Sequence, residues 1–336
     1  MPSTDEMWTI DLTLGKRDDV SLSDGTLTLS EASATGYPRR GRWVSERMPI
    51  GHFFELLPSW NASCPPNTGI RVYARTWDDY TKRVSPWLDY GYWGRVPLPE
   101  HGERFEHGAV AVDILELDRP AIAAQVRVDF FGFDVEGPGP TLETLHFASR
   151  GPADRNEPPD RPTSPINLDV PFIAQRTAGD RIGGEICSPT SVTMVAAFHG
   201  IEPTLVENAL AIYDVEHNLF GNWNRAVQRA AELGLAGHLE RFSQWAQVEP
   251  HLHAGRPIVA SINFEPGQCQ SFVMDETDGH LIVVRGITEG GNIIVNDGAS
   301  ADDGAGAIYN ADELRTAWFE NAGGVGYVIY PRDALP

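Results

Sequence analysis

The chain has 336 residues, 41% of them hydrophobic, and a formal net charge of −21. That length allows two domains with ample buried apolar area, while the acidic balance excludes a sequence-independent grip on nucleic-acid phosphates, which needs clustered Lys and Arg. No run approaches the roughly 20 apolar residues of a membrane-spanning helix.

The N-terminus, MPSTDEMWTIDLTLGKRDD, has neither the basic nor the apolar stretch of a secretory signal. A cytoplasmic location is expected, with secretion the alternative if the N-terminus is a processed or truncated form. Residues 1–150 then show short alternating segments, GTLTLSEA, GIRVYART, AVAVDILEL and AIAAQVRVDFFGF, separated by Gly, Pro and Asp clusters. This pattern predicts an antiparallel β-sandwich. From 151 to 167 prolines and charges replace apolar residues, which predicts an extended linker before a second domain at 168–336.

The second domain reads as helices followed by strands, an α+β order. Ser188 is the expected N-cap of a first helix, with Pro189 at its first position and Gly200 at its end. Further helices are expected at 204–214, 222–233 and 243–254. Strands follow at PIVASIN, HLIVVRGI, NIIVND and GVGYVIY, with another helix from Asn310 whose Glu313 fits a capping box.

Three cysteines, Cys64, Cys187 and Cys269, are too few and too scattered for a disulfide framework or a zinc site. Cys187 differs from the others in standing at a helix N-terminus. The partial positive charge and free N–H groups there favour a thiolate and can bind an oxyanion. A cysteine hydrolase also needs a histidine and a group to orient it. His280 opens the apolar run LIVV after Asp278-Gly279. If HLIVVRGI pairs with NIIVND across the turn TEGG, the symmetric register sets Val283 opposite Ile294 and His280 opposite Asp297, about 5 Å apart at Cα. Cys64 and Cys269 are expected to be structural or incidental. Asp302 and Asp303 lack the alternating ligands of a calcium loop and predict a surface loop.

The stretches DVPFIAQ (169–175), GGEICSPTSVTMV (183–195), GHLIVVRG (279–286), IVNDGAS (294–300) and AWFENAGGVGYVIYP (317–331) resemble papain-like cysteine peptidases of the bacteriocin-leader-processing type, the thirty-ninth cysteine-peptidase family. The resemblance implies a papain-like fold, Cys187 as nucleophile, His280 as general base and acid, and Asp297 as the group orienting the histidine. It also implies Gln175 as an oxyanion-hole donor. Gly298 departs from the proline usual at that place. No metal or organic cofactor is implied.

Residues 53–77 and 85–93 are similar to β-rich regions that precede some actinobacterial members. Their aromatic residues would either pack a sandwich core or form a platform for cell-wall carbohydrate. The expectation is thus a cysteine peptidase acting on a peptide or protein through a thioester. The alternatives are an amidase or transglutaminase-like acyltransferase, and a catalytically inert cell-wall or protein-binding module.

Overall fold

A computed structural model describes residues 7–30, 38–97, 104–134, 136–152 and 159–334. The chain forms two compact units, residues 1–154 and 155–336. In the first, twelve strands among the described residues make one antiparallel hydrogen-bonded sheet, folded into two layers over a common core. One layer holds Met48–Ser63, Thr141–Arg150 and Thr26–Leu29; the other holds Arg39–Val44, Thr68–Asp78 and Leu88–Gly94.

The long strand Ile114–Gly132 belongs to both layers. Up to Ala124 it pairs with Met48–Ser63, through irregularities near Ala121, and from Arg127 to Gly132 it lies between Arg39–Val44 and Thr68–Asp78. Period-two alternation drives the closure, because inward residues such as Ile70, Val72, Val126 and Val128 are fully buried.

The aromatic residues divide between the core and the outer face. Phe53, Trp60, Tyr90 and Trp93 pack the core. Tyr73 and Trp77 alternate with buried Val72, Ala74 and Thr76 and so face outward. There the rings meet arginines: Arg47 lies 4.8 Å from the Trp77 ring, Arg75 4.5 Å from Trp87, and Arg127 3.8 Å from Tyr73. These are cation–π distances.

The second unit is α+β. Its sheet runs in the order Leu235–Arg241, Val325–Pro331, Ile258–Phe264, Thr277–Ile287, Ile293–Asn296, Ala307–Tyr309, with Ile166–Asn167 added beside Thr277–Ile287. Helix α1 (Cys187–Phe198) packs on this sheet, followed in sequence by α2 (Leu205–Ile212), α3 (Trp223–Glu232), α4 (Trp245–His253) and α5 (Ala311–Arg315). Thr204, Asn222 and Asn310 cap α2, α3 and α5 by accepting backbone N–H bonds. Glu313 does not close the expected capping box. Its carboxylate instead accepts from the N–H and hydroxyl of Ser271, 2.9 and 2.6 Å away.

The expected linker requires a correction over 159–167. Asp160 caps α4, its two carboxylate oxygens accepting from Trp245 N (2.9 Å) and Ala246 N (2.7 Å). Thr163 N donates to Glu249, Arg161 pairs with Asp312, and Ile166 and Asn167 add a short strand to the sheet. Proline-rich composition removes helix and strand interiors, but it does not stop side chains and single backbone groups from docking.

A carboxylate on free N–H groups at a helix start typically contributes about 1 kcal/mol. Asp160→Ala should therefore lower the stability of the second unit by about 1 to 2 kcal/mol, read as a lower urea midpoint, and Asp160→Asn by less because it keeps an acceptor oxygen.

Candidate active site

Cys187 is the first residue of α1, with Ile186 and not Ser188 at the N-cap. The helix therefore begins two residues earlier than the Ser-Pro pair suggests. Pro189 falls in the first turn, where its missing N–H would have had no helical partner. From Ser188 to Ala196 the helix is buried, and its hydroxyls are absorbed locally. Ser188 Oγ meets Tyr327 OH at 3.0 Å, Thr190 donates to Ile186 O at 2.7 Å, and Thr193 donates to Pro189 O at 2.8 Å. Ser191 donates to Leu281 O at 3.2 Å, which ties the helix start to the strand carrying His280.

His280 Nε2 lies 2.7 Å from Asp297 Oδ1, with both side chains buried. The structure thus brings the two together, though not by the expected register. Val283 faces Asn296, Val284 faces Val295 and Ile287 faces Ile293, with an irregularity between Val284 and Gly286. Continued past Asn296, this register sets Asp297 opposite Ile282, two residues from His280. An offset of two keeps both residues on one face, where diagonal neighbours lie within side-chain reach.

Gln175 reaches the site along a strap. Residues 166–175 run beside the same hairpin, held by Arg285 Nη1 to Leu168 O (2.6 Å) and by Asn296 Nδ2 to Val170 O (2.9 Å). Gln175 N donates to Gly298 O at 2.9 Å. A Cβ on Gly298 would approach Thr190 Cγ2 to 3.1 Å and Ile173 O to 3.2 Å, so a glycine after Asp297 lets strap and helix close on the loop. Gly183 is tighter still, since its Cβ would lie 2.7 Å from Gly179 O and 2.9 Å from Arg176 Cα. Gln175 itself is buried, and among the described residues its side-chain oxygen Oε1 has no hydrogen-bond partner. A buried orphan acceptor is costly.

Residues 167–326 match the peptidase C39-like family, and residues 7–149 match the peptidase C39 N-terminal domain. The second unit is a C39-like peptidase domain. A search of curated proteins finds no match. Among solved structures, a double glycine motif protease from an AMS/PCAT transporter, in complex with a leader peptide, is 16% identical over 51% of this chain and 99% of its own, with a TM-score of 0.34. A C39-like peptidase from Bacillus anthracis is 16% identical over 50% and 98%, with a TM-score of 0.39. The peptidase domain of Streptococcus ComA, a bifunctional ABC transporter of a quorum-sensing pathway, is 14% identical over 44% and 93%, at 0.32.

Within the cysteine peptidase domain the electrostatics favour a charged pair. Desolvation pushes the Cys187 thiol up, but the hydrogen bond and charge of His280 and the backbone N–H groups of Leu281 and Ser188 outweigh it and bring the thiol below its ordinary value. Desolvation pushes His280 down, yet Asp297 and Cys187 overcome it and raise the imidazole to about 10. Asp297 is likewise desolvated, and His280, Tyr309 and Ala299 N hold it below the carboxylate range. Since Asp297 takes Nε2, Nδ1 is the ring nitrogen left for the thiol.

Sequence reasoning missed Tyr309. Its hydroxyl donates to Asp297 Oδ2 at 2.7 Å from a short strand whose pairing is set far along the chain. Cys64 packs against the core of the first unit and Cys269 is buried beside the Glu313 carbonyl, its thiol pushed up to about 11 by desolvation first and then by Glu313. Asp302 and Asp303 lie on an exposed turn.

These differences predict selective chemistry. At about pH 6 a short exposure to iodoacetamide should modify Cys187 before Cys64 or Cys269, because the thiolate is the reactive form. His280→Ala should weaken the preference without abolishing it, since the helix N-terminus remains. Peptide mapping by mass spectrometry reads all three sites; equal labelling would contradict the assignment.

Proposed function

We propose that Cys187, His280 and Asp297 form a catalytic triad that hydrolyses peptide bonds through a thioester acyl-enzyme, with Gln175 completing the oxyanion hole. The observation that carries this reading is the thiol at a helix N-terminus beside an imidazole whose far nitrogen is fixed by a buried carboxylate at 2.7 Å. The Cys187 thiolate attacks the carbonyl carbon, and the developing oxyanion takes hydrogen bonds from the Cys187 N–H and the Gln175 side-chain amide. The hold of Gln175 N on Gly298 O at 2.9 Å, beside the loop that carries Asp297, supports the assignment. The intermediate collapses as the His280 imidazolium protonates the leaving amine. Water, deprotonated by His280, then attacks the thioester and restores the thiol.

The N-terminal unit is proposed as an accessory binding domain. Its outward Tyr73, Trp77 and Trp87 rings are what supports a carbohydrate partner, although arginines already stack on them.

Peptide-library cleavage followed by mass analysis tests the central reading, and added amine separates the outcomes: hydrolysis gives free acids, whereas an acyltransferase gives amides. Cys187→Ala and His280→Ala should each abolish turnover, and the double variant should be no worse than either, because they serve one step. Asp297→Asn should leave a reduced rate. Gln175→Ala should lower turnover by about 10²-fold to 10³-fold at nearly unchanged stability.

The pH profile follows from the signs. The pair forms as the thiol loses its proton below the ordinary thiol range. His280 has a raised pKa, so its imidazolium is intact below that value and is lost as pH rises. The alkaline limb should therefore fall near pH 10.

A further inference from the structure

Asp297 is fully buried, and its two carboxylate oxygens are used differently. Oδ1 accepts from His280 Nε2 at 2.7 Å and from Ala299 N at 3.0 Å. Oδ2 is met by the Tyr309 hydroxyl at 2.7 Å and by no other donor among the described residues. Without that hydroxyl a charged oxygen would be buried unpaired, and the carboxylate would be free to rotate about its Cβ–Cγ bond, carrying Oδ1 away from the imidazole.

Tyr309 is itself held from three sides. It is fully buried in a strand paired with Ile293, its ring stacks on Phe272 with centroids 3.9 Å apart and planes 10° from parallel, and its oxygen accepts from Val273 N at 3.3 Å. The Val273 N–H occupies an acceptor position on the hydroxyl, so the hydroxyl proton is directed at Asp297. The loop that supplies Phe272 and Val273 is anchored in turn by Ser271 on Glu313.

We infer that Tyr309 is a positioning residue for the peptidase reaction, acting through Asp297 to keep His280 aligned with Cys187. This rests on the triad reading above. Desolvation and the Asp297 charge both push the phenol well above its ordinary value, so it stays a donor across the working range. The bond also helps to keep Asp297 ionised. Once Asp297 is neutral it no longer supports the imidazolium, and the thiolate loses its partner.

Tyr309→Phe keeps the ring stack and deletes only the donor. Turnover should fall roughly tenfold with KM unchanged, the loss expected for a hydrogen bond to a charged group that acts on orientation. The acidic limb of Cys187 alkylation by iodoacetamide should move to higher pH, because Asp297 then protonates at higher pH. In an Asp297→Ala background, adding Tyr309→Phe should change neither limb nor rate, as two residues acting in series predict. A variant with lowered thermal stability but the wild-type kcat and alkylation profile would make Tyr309 packing alone and overturn the proposal. So would an undiminished effect in the Asp297→Ala background. Absence of selective Cys187 labelling in the wild-type protein would instead overturn the triad reading, and this proposal with it.

Discussion

The second unit is organised around a buried imidazole–carboxylate contact, His280 to Asp297. Removing two ionisable groups from water costs several kcal/mol per charge unless each polar atom finds a partner. The surrounding structure supplies those partners. Ala299 N–H and the Tyr309 hydroxyl complete Asp297, while the Cys187 thiol faces the remaining side of His280. The raised imidazole and the depressed carboxylate are two views of the same stabilisation, and the lowered thiol is its third consequence.

The groups that meet this pair come from several parts of the chain. Helix α1 contributes the thiol and docks through Ser191 on Leu281 O. The strap 166–175 is laced to the hairpin by Arg285, Asn296 and Gly298, so the Gln175 backbone cannot shift without disturbing the loop that carries Asp297. The strap extends further back than composition suggests, because Asp160 is the electrostatic cap of α4. Backbone contacts of this kind fix the site more firmly than loop side chains alone could.

Much of this was legible in the sequence. The helical and strand segments follow from periodicity, and Cys187, His280 and Asp297 follow from helix-start chemistry and hairpin pairing. The details that escaped share a cause. The Val284–Gly286 irregularity shifts the hairpin register, and no local pattern announces it; the His280–Asp297 contact survives because the offset preserves the face. Ser188-Pro189 imitates a helix start two residues late. Tyr309 was invisible because its role depends on which strand lies beside Ile293, a long-range fact. The prolines between 159 and 167 spoke for irregular backbone and said nothing about docking. In the first unit, aromatic residues in one strand divide between core and outer face by parity, and a list of ring types cannot show that division.

The strand Ile114–Gly132 gives the first unit a different character from a sandwich of two separate sheets. Where two independent sheets meet only through side chains, the hydrophobic interface is a seam along which one sheet can slide or peel. Here a single covalent backbone carries hydrogen bonds in both layers, so displacing either layer pulls on the bonds of the other. A load on one layer is thereby passed along this strand to the hydrogen bonds of the other.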